Sequence, residues 1–572
     1  MKPKIWNLRI PDADIEQKFL KSLPVSPVLT RVLLNRGIST LSEAEAFLNP
    51  SLTDLYDPCL MDGMDWAVQR TRQAILDAEK IVVHGDYDVD GITSTALLVR
   101  VLKLLKADVS WYLPHRQKEG YDISVSAVNE IKERGAKLII TVDCGSSAVE
   151  AVAHARSLGL DVIVTDHHEV PCDPAPANVI INPRKPGCSY PFKGLAGVGV
   201  AFKFMEALVR ECGYDASAFR KRFCDLFAIG TVADVVPLLG ENRTLVKSGM
   251  EELPNTGKKG LRALIKVSGL ANSGITSHSL AFVLAPRLNA AGRLGDASVA
   301  LRLLLTNDDA EAMELARSLD SLNQLRQAEQ ERITDEAMGQ IIDGGLDQSS
   351  KILVLASQGW HIGVIGIVAS KVTERYNRPT VLVAVDETGM LGVGSARSTD
   401  RLDLFGALGQ CGHLLQRYGG HARAAGLSIE MSKLPEFKET INRVVDSVLT
   451  SEDLLPRLDV DAELGLDRVN VDLSTELEML EPYGHGNARP VFLSHNASIS
   501  QKDRAGGSGL HVKLKLRSDS DMPVDCIAFG WGDREEAFKL GGRIDLCYNI
   551  QTNRFNGRET AQLVLRDARK TE

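Results

Sequence analysis

Short apolar runs alternate with amphipathic stretches between about residue 80 and residue 300. The runs IVV at 81–83, LIITV at 138–142 and DVIVT at 161–165 are each followed by a polar loop. The loops at the first two lead into stretches with helical spacing of their apolar residues. Continuous apolar strands that alternate with helices are typical of a parallel sheet covered on both faces. We therefore predict a doubly wound α/β domain over residues 76–305.

The pattern changes four more times along the chain. Residues 1–75 predict short helices that form a lead-in packed on the next domain. Residues 306–345 predict one long linking helix, because 308–341 contains no Pro and no Gly before Gly339. A second, smaller α/β domain is predicted at 346–452. Short alternating strands divided by turn residues predict a small antiparallel barrel or sandwich at 453–572.

Charge and cysteine content change this picture little. The net charge of −9 argues neither for nor against a nucleic-acid substrate, since phosphate binding depends on local basic surface and on bound metals. The nine cysteines show no C-x-x-C pair, which argues against a zinc site or a disulfide framework. Cys144 is expected to be a small buried residue. The first residues lack the apolar core of a signal peptide, and no apolar run is long enough to span a membrane, so we expect a cytoplasmic protein.

Four short clusters of Asp and His follow or end apolar runs, and we expect all four to lie at the ends of β-strands. The clusters are His84, Asp86, Asp88 and Asp90; Asp143; Asp166, His167 and His168; and Asp234. In a parallel sheet, ligands bind beyond the carboxyl ends of the strands. We therefore expect side chains that are distant in sequence to meet at one edge of the sheet.

The chemistry of these clusters suits a pair of divalent metal ions. Carboxylate and imidazole groups together bind Mn²⁺ or Mg²⁺, and two such ions clamp a phosphoryl group for in-line displacement. The alternative is structural, because a single Asp after a strand is commonly a helix cap or turn residue. Three Asp residues at alternate positions in the loop 84–91 favour the metal, since their mutual repulsion is costly without a cation.

The spacing of these residues resembles that of the DHH phosphoesterase superfamily. The shared pattern is His84-x3-Asp88-x-Asp90, then Asp143, the DHH triplet at 166–168, and Asp234. The segment GGHARAAG at 419–426 resembles the glycine-rich motif of the associated DHHA1 domain. The order of parts, with the linking helix and a terminal β-domain, is similar to that of the RecJ exonuclease family over nearly the whole chain. An OB-like fold is therefore expected for the terminal barrel.

The resemblance implies a role for each residue of the clusters. One ion would be held by His84, Asp88 and Asp143. The other would be held by Asp90, Asp143, His167 and Asp234, with Asp143 bridging. His168 would contact the scissile phosphate, and Asp86 and Asp166 would also have catalytic roles.

Further segments acquire a substrate-binding interpretation from the same resemblance. Arg287 and Asn289 lie in what the sequence suggests is a short polar turn, and they are candidates for substrate contact. Ser395 and Arg397, and likewise His421 and Arg423, are candidates for contacts to the DNA backbone and its 5′-terminal phosphate. The segment Trp360-His361 would serve either as a base platform or in packing.

One strand of the terminal domain carries its own indication of function. In HVKLKLR at 511–517, the residues alternate between basic and apolar. A strand would bury the apolar set and present Lys513, Lys515 and Arg517 together. Such a face could simply be solvated. In an OB-like barrel, a positive stripe that tracks a single strand explains it better.

These features lead to a ranked set of functional hypotheses. The first is a single-stranded-DNA-specific 5′→3′ exonuclease that acts in recombination and repair. It would use two Mn²⁺ or Mg²⁺ ions and release 5′-mononucleotides. Its single strand would bind in a narrow groove between the two α/β domains. The second is a phosphodiesterase for short oligonucleotides, cyclic dinucleotides or pyrophosphate. The third is a replication scaffold that has lost catalysis, which the intact carboxylates argue against. Single-stranded DNA is the expected partner, a single-strand-binding protein and a helicase are further candidates, and a monomer is expected.

Overall fold

The computed structural model of the chain describes residues 4–116, 119–272, 274–507, 509–518, 523–555 and 557–571. Its strands, in chain order, are β1 (Ile5–Leu8), β2 (Ile81–Gly85), β3 (Val109–Tyr112), β4 (Leu138–Val142), β5 (Asp161–Thr165), β6 (Val179–Ile181), β7 (Leu353–Gln358), β8 (Thr380–Val385), β9 (Leu391–Arg397), β10 (Arg417–His421), β11 (Ala424–Glu430), β12 (Arg457–Val460), β13 (Ala462–Glu463), β14 (Phe492–Ala505), β15 (His511–Arg517), β16 (Val524–Ala528), β17 (Arg543–Phe555) and β18 (Arg558–Lys570).

The α-helices occupy much of the chain between the sheets. They are α1 (Ala13–Ser22), α2 (Pro27–Asn35), α3 (Leu41–Leu48), α4 (Met64–Leu76), α5 (Val89–Leu104), α6 (Val125–Glu133), α7 (Val149–Ser157), α8 (Gly197–Glu211), α9 (Ala216–Ala233), α10 (Gly240–Glu252), α11 (Lys259–Val267), α12 (Ser277–Ser279), α13 (Ala285–Leu294), α14 (Ser298–Leu305), α15 (Asp309–Asp343), α16 (Leu346–Ser349), α17 (Ile365–Tyr376), α18 (Leu404–Gln410), α19 (Leu434–Val448) and α20 (Val471–Glu478). None of the helices in the described part of the chain is both long and apolar enough to cross a membrane.

The predicted parallel sheet is confirmed. Its five strands are all parallel, in the order β3-β2-β4-β5-β6. Every residue of β2 and β4 is buried, which explains why these strands are continuous apolar runs rather than alternating ones. Helices α6 and α7 pack on one face through alternate strand residues such as Val82 and Val162. Helices α5 and α8 contact the strands but lie outside that core, so they cover the opposite face.

The chain divides into two compact units. The larger unit contains Asn7–Gly292, Asp296–Asp320 and Asp459–Glu572, and the smaller contains Met1–Trp6, Arg293–Gly295 and Ser321–Leu458. The parallel sheet and the terminal β-domain thus belong to the same unit. The division falls within α15, which matches the predicted long helix to within a few residues.

The N-terminal helices have a different packing partner from the one the sequence predicts. Phe19 of α1, Leu33 of α2 and Phe47 of α3 belong to the core of the C-terminal β-domain, together with Phe492 and Leu514. Helix α4 packs against the parallel-sheet domain, where it contacts α8 and β6. The end of α3 also reaches that domain, because Arg243 of α10 donates to Phe47 O at 2.8 Å. The prediction of a lead-in packed on the next domain is therefore wrong for α1 and α2 and holds only in part for α3. Apolar periodicity shows that a helix face is buried but does not identify the surface that covers it.

The C-terminal strands form a closed barrel of five strands. The hydrogen-bonded order is β14-β15-β16-β18-β17, and β14 also pairs with β17. All these pairs are antiparallel except β16–β18, which is parallel and departs from the all-antiparallel prediction. Closure leaves no long strand edge exposed in this part of the barrel.

The smaller unit is built on a mixed sheet in the order β10-β11-β9-β8-β7. Only β7 and β8 are parallel among these pairs. The end of α15 and α17 share one core with the sheet, and α18 and α19 share another. Trp360 is 4% exposed in the first of these cores and its Nε1 donates to Glu336 Oε2 at 2.7 Å. This burial favours the packing role of Trp360 over a base platform.

Candidate metal centre

The loop after β2 places the first cluster at the carboxyl edge of the sheet. Asp88 is the N-cap of α5 and accepts a hydrogen bond from the backbone N–H of Gly91 at 3.1 Å. An ideal Cβ on Gly91 would lie 2.5 Å from the carbonyl oxygen of Asp86, so only glycine allows the loop to fold this closely. Asp86 is 5% exposed as a result.

Asp143 follows β4 in a strained backbone conformation. Its φ of +61° lies in the left-handed region, which a residue with a side chain seldom adopts. The backbone N–H of Asp143 donates to Thr165 O at 3.0 Å, which extends the β4–β5 pairing by one residue. Strain of this kind costs roughly 1–3 kcal/mol and is found mainly where a side chain must be held in one direction for function.

Asp166 orients the histidine pair that follows β5. Its carboxylate accepts from the backbone N–H groups of Ser146, His167 and His168, and from His168 Nδ1 at 2.8 Å. Burial alone would raise the pKa of Asp166, but the hydrogen bond and charge of His168 outweigh it and lower that pKa far below its usual value. Both carboxylate oxygens of Asp166 already accept hydrogen bonds. Asp166 therefore positions the neighbouring histidines instead of serving as a metal ligand itself.

Asp234 is brought to the same edge by a helix instead of a strand. It is the C-terminal cap of α9, so the prediction that all four clusters lie at strand ends is wrong for this one. The run LFAIGTVA before Asp234 is apolar because α9 is buried on most sides, and a buried helix segment of this length cannot be distinguished from a buried strand by apolar content alone. Val235 follows with a φ of +60°, a second strained position beside the cluster.

Asp90 is held by the start of another helix. Its two carboxylate oxygens accept from the backbone N–H groups of Gly197 and Val198 at 2.6 and 2.7 Å. These are the first residues of α8, where unpaired N–H groups and the helix dipole favour an anion. The glycine-rich sequence at the start of α8 indicates a helix opening, but no spacing rule connects it with Asp90.

The side chains from these elements converge on two adjacent groups, which a third group overlaps. Among the described residues, ligand atoms of Asp86, Asp88 and Asp143 lie within 4.8 Å of one another, and so do those of Asp90, His167 and Asp234. The third group consists of Asp143, His167 and His168. His167 Nε2 lies 3.1 Å from Asp143 Oδ1, 3.6 Å from Asp234 Oδ2 and 4.0 Å from Asp90 Oδ2. Asp143 is thus in contact with both groups, which is the position that a bridging ligand requires.

His84 lies beside these groups in a closed environment. Its ring stacks on Tyr112, and its Nδ1 lies 3.6 Å from the Sγ atom of Cys144. Cys144 is fully buried, as the sequence predicts. Burial lowers the pKa of His84 to about 4, so the ring is neutral and its buried Nε2 can accept a metal. The resemblance groups His84 with Asp88 and Asp143, whereas among the described residues the ligand atoms of Asp88 and Asp143 are grouped with Asp86.

The buried polar atoms of this site have ligand chemistry without a protein partner. The atoms that form no hydrogen bond include His84 Nε2, Asp86 Oδ1, Asp143 Oδ1, His167 Nε2 and Asp234 Oδ2. A buried polar atom with no hydrogen bond costs about 1–3 kcal/mol, so a cluster of such atoms in one place indicates a ligand site. Oxygen and imidazole ligands in this number fit Mn²⁺ or Mg²⁺, so the residues present suit a pair of divalent cations.

The pKa values of the carboxyl groups reflect the same crowding. Burial, followed by repulsion from neighbouring Asp residues, raises the pKa values of Asp86, Asp143 and Asp234 and raises that of Asp90 to about 7. Burial lowers the pKa of His167 to about 3, so this ring is neutral. Neutral imidazoles, together with carboxyl groups that ionise only at raised pH, make a site that binds cations readily.

Tyr121 belongs to this site and is missed by sequence reasoning. Its hydroxyl lies 3.2 Å from His168 Nδ1 and 3.4 Å from the carbonyl oxygen of Asp143. Tyr121 is 45% exposed, so its ring forms part of the open side of the centre. A tyrosine in a loop between β3 and α6 carries no spacing signal that could have identified it.

The segment around Arg287 is helical, which corrects the predicted polar turn. Arg287 and Asn289 lie in α13, which continues the helical stretch that begins at Ser277. Arg287 Nε donates to Asp320 Oδ1 at 2.8 Å, so its charge already has a carboxylate partner. An ideal Cβ on Gly292 would lie 2.4 Å from the carbonyl oxygen of Tyr87, so α13 packs directly on the metal-binding loop. Pro286 explains the error, because proline is read as a turn residue, whereas here it lies just after a π-helical segment at Leu280–Leu284 inside the continuous helical stretch.

The predicted phosphate-binding residues of the smaller unit lie together. Arg397 pairs with Ala424 across β9 and β11, and His421 pairs with Ala424 across β10 and β11. Arg397 Nη1 donates to Ser395 Oγ at 3.1 Å, while Arg423 forms an ion pair with Asp400. These four candidate residues therefore share one end of the sheet, and their contact with a DNA strand stays a prediction.

The barrel strand β15 has the predicted alternation. Val512, Leu514 and Leu516 are buried, whereas Lys513, Lys515 and Arg517 are exposed. The positive stripe is weaker than the sequence suggested, because Asp503 lies opposite Lys513 and Asp525 lies opposite Lys515 in the strand register. Cross-strand partners such as these are set by register and cannot be read from β15 alone.

The chain matches three family models. These are the DHH family N-terminal domain at residues 80–231, the DHHA1 domain at 349–447 and the RecJ OB domain at 460–567. It is 41% identical over 567 residues to the single-stranded-DNA-specific exonuclease RecJ of Bacillus subtilis, covering 99% of this chain and 71% of the relative. It is 36% identical over 565 residues to the Escherichia coli protein of the same name, covering 94% of this chain and 95% of the relative.

Solved structures show the same similarity. The chain superposes on RecJ in complex with Mn²⁺ from Thermus thermophilus with a TM-score of 0.86 and 33% identity, covering 100% of this chain and 80% of that one. The Mg²⁺ complex from the same organism gives a TM-score of 0.78 with 31% identity and covers 99% of this chain and 79% of that one.

The close approach of Gly197 to the carboxylates yields a first prediction. An ideal Cβ at Gly197 would lie 2.6 Å from Asp143 Oδ1, so Gly197→Ala must displace Asp143 or α8 and with it Asp90. We expect Mn²⁺ affinity to fall by roughly 10–100-fold, the range found when a group that positions metal ligands is removed. Calorimetric titration with Mn²⁺ measures it.

Gly199→Ala is the matched control for Gly197→Ala. Its added Cβ would lie 3.1 Å from the Leu195 side chain, which can shift, and would not meet a carboxylate. Equal Mn²⁺ affinities for the two variants would contradict the proposed closeness of α8 to the centre.

The raised carboxyl pKa values yield a second prediction. Near pH 7 the metal-free cluster retains protons on groups such as Asp90, whose pKa is about 7, and bound cations must displace them. Mn²⁺ binding should therefore release protons, and the affinity should fall as the pH is lowered from 8 to about 6. Titration in two buffers of different ionisation enthalpy measures the number of protons released. Release of no protons at pH 7 would show that the cluster is already ionised without metal.

Proposed function

The chain belongs to the RecJ family of single-stranded-DNA-specific exonucleases, and on this premise we propose how its residues cleave DNA. It is a metal-dependent exonuclease that acts on single-stranded DNA and uses Mn²⁺ or Mg²⁺. The observation that carries the mechanism is the set of buried, unpaired ligand atoms at the edge of the parallel sheet. The similarity over whole chains, including the barrel, supports this substrate over short oligonucleotides or cyclic dinucleotides.

The metal ligands form two sets that share Asp143. We assign His84, Asp88 and Asp143 to one ion, with Asp86 as a further group within reach of the same ion. The second set consists of Asp90, Asp143, His167 and Asp234. One carboxylate oxygen of each of the three Asp residues lies within 4.0 Å of His167 Nε2. When bound, the two cations act as Lewis acids that activate a water nucleophile and balance the charge on the phosphate.

His168 is the group that meets the scissile phosphate in this proposal. Its side chain is 47% exposed, and Asp166 fixes its ring through Nδ1. Burial lowers the pKa of His168, but the hydrogen bond and charge of Asp166 outweigh burial and raise it. A raised pKa favours the protonated imidazole, and in that form the ring would stabilise the negative charge that develops on a phosphodiester during hydrolysis. Tyr121 supports the same ring through its hydroxyl.

Digestion from the 5′ end is the finer part of the proposal. Ser395, Arg397, His421 and Arg423 are assigned to the 5′-terminal phosphate and the adjoining backbone, since a guanidinium pairs well with phosphate oxygens. Hydrolysis that starts there releases 5′-mononucleotides. Arg287 and Asn289 are assigned to the strand near the metal loop, where Arg287 must share or leave Asp320 in order to bind phosphate.

The barrel provides a second area of contact with the strand. Lys513, Lys515 and Arg517 project from one face of β15, and phosphate contacts of this kind give affinity without sequence preference. Asp503 and Asp525 on neighbouring strands limit the contribution to binding that these cations make. We assign the barrel to retention of a long strand rather than to hydrolysis.

The cellular setting follows from this activity. We propose that the protein works as a cytoplasmic monomer in DNA recombination and repair. A helicase that generates single strands and a protein that coats them are the expected partners, because both act on the same substrate.

Replacing the bridging ligand tests the metal mechanism. Asp143→Asn should reduce hydrolysis of single-stranded DNA by at least roughly 100-fold, since even changes behind the ligands cost 10–100-fold. Asp173→Asn is a suitable control because Asp173 is exposed and lies outside the centre. The measurement is product release from end-labelled strands with Mn²⁺, with Mg²⁺ and with chelator. Activity in chelator, or in the Asp143 variant at the control level, would contradict this mechanism.

The same end-labelled strands determine polarity. A 5′-labelled strand should lose its label as a mononucleotide at once, and a 3′-labelled strand should shorten progressively. The reverse pattern would reject the assignment of the 5′ end to the smaller unit, and equal cleavage of blunt duplex would reject strand specificity.

Charge reversal on β15 tests the role of the barrel. Lys513→Glu combined with Lys515→Glu should weaken binding of a long single strand and reduce the slope of log affinity against log salt by about 1.4, at roughly 0.7 for each lost phosphate contact. Hydrolysis of a tetranucleotide should be unchanged. Lys18→Glu with Lys21→Glu on α1 makes the same charge change on exposed residues elsewhere. A salt slope equal to that of the control would remove β15 from the DNA path.

A further inference from the structure

A cavity of about 540 Å³ lies in the larger unit, at the ends of α5 and α9 that are farthest from the metal centre. Arg100, Lys103 and Leu104 line it from the last turns of α5. Lys221 and Arg222 line it from the first turns of α9, and the loop at 255–258 closes another side. Its volume is within the range of 300–1,000 Å³ that is typical of small-molecule sites.

The lining of this cavity has more positive than negative charge. Its cations are Arg100, Lys103, Lys221, Arg222 and Lys258, and its carboxylates are Asp225 and Glu252. Lys258 Nζ lies 2.7 Å from Asp225 Oδ1, and Lys221 Nζ lies 3.4 Å from Glu252 Oε1. Within the described part of the chain, the other three cations form no ion pair with a carboxylate. With five cations and two carboxylates, the recess has an excess of three positive charges in a protein of net charge −9.

The buried cations of the cavity repel one another. Burial is the main cause that lowers the pKa of Arg100; the charge of Asp225 opposes it, and the nearby Arg222 lowers it further. Burial likewise lowers the pKa of Lys258, with Arg100 adding to the effect although Asp225 opposes it. Arg100 also donates to the carbonyl oxygen of Leu304, so its position is fixed by the backbone at the end of α14. A bound anion would relieve this repulsion without any change of fold.

The remaining lining is suited to more than a simple anion. Leu104, Phe223 and Leu305 provide apolar surface, while Asn255 and Asn307 provide amide groups beside it. Helix α11 begins directly after the loop, at Lys259, and its N-terminus has no side-chain cap. Apolar surface, amides and several cations together match a molecule with a base at one end and phosphates at the other.

The cavity is separate from the metal centre. Along α5, Arg100 and Lys103 lie ten and thirteen residues after Asp90, which is about 15–20 Å at the rise of an α-helix. Along α9, Arg222 lies twelve residues before Asp234, about 18 Å by the same measure. The cavity and the metal ligands are therefore separated by roughly three turns of each helix.

We propose that this cavity is a binding site for a nucleoside polyphosphate, distinct from the catalytic centre of the exonuclease. The phosphates lie against Arg100, Lys103 and Arg222, and the base lies against the apolar side formed by Leu104 and Leu305. The ligand contacts α5 and α9 at their far ends, and these two helices carry Asp90 and Asp234 at the other. The chain can therefore sense a soluble nucleotide through the helices that position its metal ligands.

Binding to the full chain tests this proposal. Adenosine triphosphate, pyrophosphate and adenosine monophosphate are titrated by calorimetry in the presence of Mg²⁺, both into the natural chain and into the Asp143→Asn variant. We expect one saturable site for adenosine triphosphate that persists in Asp143→Asn, weaker binding of pyrophosphate and the weakest binding of the monophosphate. Lys103→Glu combined with Arg222→Glu should reduce the affinity for adenosine triphosphate at least ten-fold.

Two comparisons make the result decisive. Lys18→Glu with Lys21→Glu makes the same charge change on α1 and should leave the affinity unchanged. Lys103→Gln with Arg222→Gln neutralises the two cations without reversing their charge and should still weaken binding. The melting temperature of this double variant reports whether its fold is intact. Absence of saturable binding at millimolar nucleotide, loss of binding in Asp143→Asn, or equal affinities for the double variants and the control would each overturn the proposal. If the nucleotides do not bind, and Lys103→Glu with Arg222→Glu weakens binding of a single-stranded dodecanucleotide relative to the α1 control, the proposal is overturned and the cavity is assigned to DNA instead.

Discussion

The structure depends on holding several carboxylates together where water is largely excluded. Asp86, Asp90 and Asp143 are nearly fully buried and lie within a few ångströms of one another or of His167. Repulsion of this strength does not persist in a folded core unless protons or bound cations balance it. Without metal the carboxyl groups retain protons, and divalent cations replace those protons with the positive charge that hydrolysis of a phosphodiester requires.

The scaffold around the cluster compensates for that repulsion before any metal binds. The start of α8 provides two N–H groups to Asp90, and Asp166 uses its charge to fix His168. Backbone strain at Asp143 adds to the cost, which the surrounding β4–β5 pairing offsets. Rigid positioning of this kind is the condition under which electrostatic catalysis is effective, because ligands that relax would lose part of the field they provide.

Sequence patterns predicted where most residues of this centre lie, because the strand ends that position them are determined by neighbouring residues in the chain. Apolar runs that end in Asp or His identify strands and their carboxyl ends, and thus His84, Asp143 and Asp166 were placed correctly. The prediction was wrong where partners come from distant segments. Asp234 ends a buried helix, Arg287 lies in a helix beside Asp320, and the carboxylates opposite Lys513 and Lys515 follow from strand register. Each of these depends on tertiary packing, which a local pattern does not contain.

Segregation of charge reconciles the acidic composition with an anionic substrate. The carboxylates beside the metal centre are counted as negative, yet bound cations reverse their effect on an approaching phosphate. Exposed lysines on β15 and the cations around Arg100 lie on other parts of the same unit. Net charge therefore describes solubility here, while the field that a phosphate meets is determined by a few positions. Since α5 has a metal ligand at one end and a basic cavity at the other, a single helix connects two of these positions.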